Sequence, residues 1–173
     1  MLFSAFFRIF SVLHLLFFRF LGIILGYHFN RERQPMTEPD ALPRGTETLL
    51  IVDDQETVWD FLIEALQNLG YSVLLAENGE DAVSIYRDNP SQIDLVLLDM
   101  VMPRLGGHGT FYQIRAIDPD AKILLSSGFV QEGAVQDLLD NGAAGFIAKP
   151  HRLPKLTKAI RDVLDGKPVS GQI

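Results

Sequence analysis

The chain has 173 residues, with 15 Lys+Arg against 22 Asp+Glu, a formal charge of −7, and no cysteine. That length suits one compact domain of ordinary size with a remainder. A disulfide framework, a thiolate zinc site and a cysteine nucleophile are excluded together, and a net-acidic chain is a poor binder of nucleic-acid backbone.

The averages conceal two unlike pieces. Residues 1–35 carry four arginines (Arg8, Arg19, Arg31, Arg33) against Glu32, for +3, and hold eight of the 12 phenylalanines. The other 138 residues carry 11 Lys+Arg against 21 Asp+Glu, for −10. Ile9 to Phe29 contains 14 Leu, Ile, Phe or Val. At about −0.3 to −0.6 kcal/mol each, they outweigh one central arginine at roughly +3 kcal/mol, so a membrane anchor over 9–29 is one reading. Arg31 and Arg33 would then keep the body on the cytoplasmic face of the inner membrane. A second reading starts translation at Met36, which removes the head and leaves a cytoplasmic protein; a third is an amphipathic, partner-binding helix. A cleaved signal peptide is not expected, because no basic start and no small-residue cleavage site frame the run. Residues 36–45 read as a polar linker.

From Thr46 onward, strand and helix patterns alternate. Thr48 to Val52 is a short apolar run ending in Asp53-Asp54, as in a buried parallel strand. Val58, Phe61, Leu62, Ala65, Leu66 and Leu69 recur at helical spacing, and Gly70 ends that helix. Tyr71–Ala76 is the second strand. Gly79–Asp88 is the second helix, with Ala82, Val83 and Ile85 expected inward. Ile93–Leu98 is a third strand running into Asp99. A loop with Pro103, Gly106 and Gly107 leads to a helix ending near Ile117. Ala121–Ser126, Gln131–Asp140, Gly145–Ala148 and Leu153–Leu164 complete five strands and five helices. Strict alternation predicts a doubly wound α/β domain, a parallel sheet covered on both faces by right-handed crossovers.

Ligands of such sheets sit beyond the carboxyl ends of the strands. Those ends bring together Asp53-Asp54, Asp99, Ser126-Ser127-Gly128 and Lys149-Pro150, from about 100 positions of chain. Two carboxylates at ~4 Å and an effective dielectric near 20 repel by up to roughly 4 kcal/mol. Such a cluster persists when a cation offsets it or one member is protonated. An all-oxygen donor set suits Mg²⁺, which needs few carboxylates and is completed by phosphate oxygens and water. A carboxylate there can also attack phosphorus and form an acyl phosphate. The four histidines show no metal-ligand spacing, and Gly106-Gly107 lacks the context of a phosphate-binding loop. His108 reads as a surface residue and Ser126 as strand packing.

VDDQ (52–55), LVLLDMVMPRLGG (95–107), ILLSSGF (123–129) and GFIAKP (145–150) resemble the receiver domain of response regulators in two-component signalling. The resemblance covers Thr46 to Asp165 and places the domain at 46–166, with 167–173 as a tail. It implies a flavodoxin-like sheet of order 2-1-3-4-5. It also implies that Asp99 accepts a phosphoryl group from a sensor histidine kinase or phosphotransfer protein. Asp54 would bind Mg²⁺ directly and Asp53 through water, and the backbone carbonyl of Val101 would add a ligand. Lys149 would pair with Asp99 and the phosphoryl group, across a cis Lys149–Pro150 bond. Ser127 would be the switch hydroxyl and Phe146 the switch aromatic, turning inward as Ser127 moves.

Three positions depart from the common pattern: Trp59, Phe146 without a hydroxyl, and His151 after Lys149-Pro150. They bear on partner choice more than on chemistry. The eight residues after Asp165 leave no room for an output domain, so the expectation is a stand-alone receiver without a separate catalytic domain. It would be capable of self-dephosphorylation and act on a downstream protein, with no nucleic-acid partner. The competing classes are a phosphorylation-independent interaction module and a Mg²⁺-dependent phosphatase of similar fold. The phosphatase would need DxDx[TV] where this chain has DDQE.

Overall fold

The computed structural model describes residues 42–128 and 132–169, with backbone alone for 56–61 and 132. The 1–35 head with its 9–29 candidate anchor, most of the linker, the end of the tail and the Trp59 side chain lie outside what is described. Five strands, β1 (Thr48–Val52), β2 (Ser72–Ala76), β3 (Leu95–Asp99), β4 (Ile123–Ser127) and β5 (Gly145–Ala148), alternate with five helices. The helices are α1 (Glu56–Asn68), α2 (Gly79–Asp88), α3 (Gly107–Ile117), α4 (Glu132–Asp140) and α5 (Leu153–Leu164). All four strand pairings are parallel, and the order is β2-β1-β3-β4-β5. The alternation in sequence thus becomes the flavodoxin-like doubly wound sheet that the resemblance implied. Among the described residues no helix is long and apolar enough to cross a membrane.

The central strands are apolar in their interiors, with polar residues only at their ends, because both faces are covered. Leu50, Val52, Val96, Leu98, Ile123, Leu125 and Phe146 pack against residues of α2, α3 and α4, including Ala82, Val83, Phe111, Ile114 and Leu138. The intervening Leu49, Ile51, Leu95, Leu97, Leu124 and Ile147 pack against Leu62, Leu66, Leu156, Ile160 and Val163 of α1 and α5. Local signals mark the helix ends. Gly70 follows α1 at φ +100°, a left-handed turn that costs glycine little. Asn78 caps α2, its side-chain oxygen accepting from the Asp81 N–H at 3.0 Å, with Glu80 and Asp81 favourably placed in the first turn.

Two expectations shift. In α2, Ala82 and Val83 are buried as expected, but the third inward side chain is Tyr86, while Ile85 is only partly buried. The Tyr86 ring fills the core and its hydroxyl donates to Asp118 at 2.9 Å, which lets a phenol be buried. The third and fourth strands also begin two residues later than the apolar runs suggest. Ile93 and Ala121 are buried in the core but precede the ladder; after Ile93, Asp94 takes the Thr48 N–H on its side chain at 2.8 Å.

Candidate functional site

The carboxyl ends of β1 and β3 lie side by side, since Val52 pairs with Leu98, and Asp99 pairs in turn with Ser126 of β4. Parity sends Asp53, Asp99 and Ser126 to the α1/α5 face of the sheet and Ser127 to the other. Asp53 and Asp99 are 5% and 2% exposed, whereas Asp54, one residue further into the loop, is exposed. Oxygens from Asp53, Asp54 and Asp99 all lie within 4.8 Å of one another.

Lys149 answers this concentration of charge. Its Nζ lies 2.6 Å from Asp53 Oδ2 and 2.7 Å from Asp99 Oδ2. Burial works against the charged amine, but hydrogen bonds and charge from Asp53 and Asp99 outweigh it and hold Lys149 above the ordinary lysine range. Pairing with Asp53 as well as Asp99 goes beyond what the sequence suggested. The remaining oxygens are turned by the backbone: Asp53 Oδ1 accepts from the Gln55 N–H at 3.0 Å, and Asp99 Oδ1 from the Val101 N–H at 3.2 Å. Val101 itself is 62% exposed.

One ammonium against three carboxylates leaves two formal negative charges among oxygen donors. That donor set fits a hard divalent cation of the Mg²⁺ type. The Lys149–Pro150 bond is cis. The Lys149 N–H donates to the Ser127 carbonyl at 2.8 Å, placing Lys149, just past β5, beside the last residue of β4 at the rim. Ser127 is fully buried. Phe146 of β5, which pairs with Leu125, is 4% exposed and sits among the residues packed against α2, α3 and α4. The aromatic ring is therefore already inward.

The loop after Asp99 is set by backbone proximity. A Cβ on Gly107, the first residue of α3, would fall 2.5 Å from the Asp99 carbonyl oxygen and 2.6 Å from Met100 Cα. Both are closer than packed atoms come, so only glycine lets α3 start there.

Sequence reasoning missed one pair. Ser126 is not inert strand packing: its Oγ is 3.0 Å from His151 Nε2. The imidazole lies half-buried beside the Lys149-Pro150 turn. Burial, and then the Lys149 cation, hold it below the ordinary histidine pKa, against weaker pulls from the Ala148 backbone, Asp53 and Asp99. The available signal was a hydroxyl at a core-facing position of an apolar strand, which requires a partner. His108, by contrast, is the surface residue expected, 3.3 Å from Asp137.

Residues 49–161 match the family model of the response regulator receiver domain. The chain is 34% identical over 118 residues to chemotaxis protein CheY of Bacillus subtilis, covering 68% of this chain and 97% of that protein. It is 31% identical over 121 residues to sensor kinase CckA of Brucella abortus, covering 70% of this chain and only 13% of the kinase. Among solved structures, the CheX-CheY-BeF3-Mg+2 complex from Borrelia burgdorferi aligns with a TM-score of 0.65 and 31% identity, over 68% of this chain and 88% of that one. A receiver domain protein from Clostridium thermocellum aligns at 0.66 and 26%, over 69% and 95%. The phosphatase alternative finds no support in this pattern, which is that of a receiver and not of a separate catalytic enzyme family. Fold, acidic cluster and relatives agree: the chain belongs to the response regulator receiver domain family.

Proposed function

We propose that Asp99 is the phosphoacceptor of a domain spanning 46–166, taking its phosphoryl group from a sensor histidine kinase or phosphotransfer protein. The observation that carries this is the Lys149 ammonium held between Asp53 and Asp99 at 2.6 and 2.7 Å, with Asp54 beside them. A carboxylate oxygen of Asp99 forms the new bond to phosphorus as the bond to the donor's imidazole nitrogen breaks. Asp53, Asp54, Asp99 and the Val101 carbonyl are the groups that would hold Mg²⁺, which supplies charge neutralisation for the phosphoryl oxygens. Lys149 releases part of its attraction to Asp99 and meets a phosphoryl oxygen instead. Ser127 supplies a hydroxyl from the neighbouring strand. Phosphorylation adds about −2 charge at this edge, and the β4–α4–β5 surface with Phe146 carries the change to a downstream protein. Hydrolysis of the acyl phosphate returns the domain to rest. The setting proposed is cytoplasmic, on the membrane only where residues 1–35 are present.

The test is incubation with acetyl phosphate and Mg²⁺ followed by mass spectrometry. The expected outcome is one phosphoryl group on the Asp99 peptide, absent without Mg²⁺ and absent in Asp99→Asn. Steady turnover of phosphate esters, or modification elsewhere, overturns the reading. Binding of a downstream protein that is indifferent to phosphorylation would favour an interaction module.

A further inference from the structure

We infer that Ser126 and His151 form a positioning pair that locks Lys149 in place for phosphoryl transfer at Asp99; this rests on the reading of Asp99 as phosphoacceptor. Three contacts converge. Asp99 and Ser126 are direct partners across β3 and β4, and the Met100 N–H donates to the Ser126 carbonyl at 2.9 Å. Ser126 Oγ meets His151 Nε2 at 3.0 Å. His151 lies two residues beyond Lys149, whose Nζ reaches back to Asp99. The result is a closed circuit: Asp99, Ser126, His151, the cis-proline turn, Lys149, Asp99. Beside the Ser126–His151 bond, the Lys149 N–H donates to the Ser127 carbonyl at 2.8 Å, so the turn after β5 is tied to both of the last two residues of β4.

Packing alone is a poor account of these residues. A hydroxyl and an imidazole on a core-facing site each lose hydration, and one bond between them recovers only part of it. His151 Nδ1 is buried without a well-formed hydrogen bond, so the ring is not placed for its own satisfaction. Two apolar side chains would fill the same space without that cost. What the polar pair adds is direction, a fixed distance between the turn that carries Lys149 and the strand beside Asp99. Transfer to phosphorus depends on such positioning.

The test compares wild type with Ser126→Ala, His151→Phe, the double variant and His151→Gln. Phosphorylation by acetyl phosphate with Mg²⁺ gives a saturating rate and a half-saturation concentration. In parallel, the unphosphorylated proteins are treated with an amine-acylating reagent, and labelling of Lys149 is read by mass. Ser126→Ala and His151→Phe are each expected to lower the saturating rate roughly fivefold, the equivalent of one net hydrogen bond, with little change in half-saturation. The double variant should be no slower than either single one, and the Gln amide should restore part of the rate. Lys149 labelling should rise severalfold in step with the loss.

Ser126→Ala, the smaller change, decides the matter should His151→Phe fail to fold. Additive losses, or Lys149 labelling unchanged in Ser126→Ala, overturn the inference. If wild-type Asp99 is not modified at all, the phosphoacceptor reading falls, while the labelling comparison still decides whether the pair positions Lys149.

Discussion

The two ends of the sheet are built on opposite electrostatic rules. At the amino-terminal end, Arg161 reaches Glu47 and Asp165 at 2.8 Å each, and Lys167 reaches Asp165 at 2.9 Å. Two acids there meet two cations. At the carboxyl end, the clustered carboxylates of Asp53, Asp54 and Asp99 have one cation among the described residues, Lys149, which pairs with Asp53 and Asp99. The first arrangement is complete within the chain. The second keeps two formal negative charges among the described residues, and that imbalance sits where strand geometry concentrates side chains. Charge neutrality thus distinguishes the end that holds the fold together from the end to which the proposed chemistry is assigned.

The strongest challenge to this contrast is removal of the central carboxylate. Asp99→Asn should abolish acetyl-phosphate labelling, by at least about a hundredfold in rate, while stability in urea holds or rises as repulsion is relieved. A stability loss without a labelling loss would reverse the assignment of ends. Next comes a matched pair of cation removals. Lys149→Met leaves Asp53 and Asp99 facing each other and should cost about 1–3 kcal/mol in urea unfolding, a discounted form of a broken buried pair. Added Mg²⁺ should recover part of that loss. Arg161→Met, at the more exposed end, should cost less than about 1 kcal/mol and leave labelling within twofold of wild type.

A smaller effect tests the core between the ends. Tyr86→Phe removes the hydroxyl that donates to Asp118 at 2.9 Å and should cost about 1 kcal/mol, without change in labelling. Burial and the Asp118 carboxylate both push that phenol's pKa up. The smallest effect is a pH dependence from His151, which contacts Ser126 and feels the charges of Lys149, Asp53 and Asp99. Its folded pKa lies below the ordinary 6.5. As pH falls through that value, the unfolded chain takes up the proton first and the folded state loses stability. The loss continues until the folded pKa is passed. Thermal melts from neutral pH downward should show this decline in wild type and a flatter one in His151→Phe; equal slopes would remove His151 from the account.

Much of this end was readable from sequence because a parallel sheet obeys a simple placement rule. Asp53, Asp54, Asp99 and Lys149 each follow a short apolar run, and strands of a doubly wound sheet present their carboxyl ends to one edge. No knowledge of side-chain packing is needed for that. The strand order was another matter, since alternation alone does not say which strands are neighbours; it came from the resemblance. Tyr86 was missed because periodicity weighs a tyrosine as half polar, while its burial depends on Asp118, 32 positions away. Ile93 and Ala121 mark a related limit. An apolar run reports burial, and burial extends past the residues that pair in the ladder. Ser126 and His151 were least accessible, because the path of the turn after Lys149 has no periodic signature.

The close approach of Gly107 to the Asp99 main chain carries a consequence for reading variant data. Position 107 has no functional group, yet any side chain there would pry the acceptor loop from the start of α3. In a saturation-mutagenesis map scored by signalling output, position 107 would therefore rank beside Asp99 and Lys149. A reader of such a map would assign chemistry to a residue whose whole contribution is the space it leaves empty.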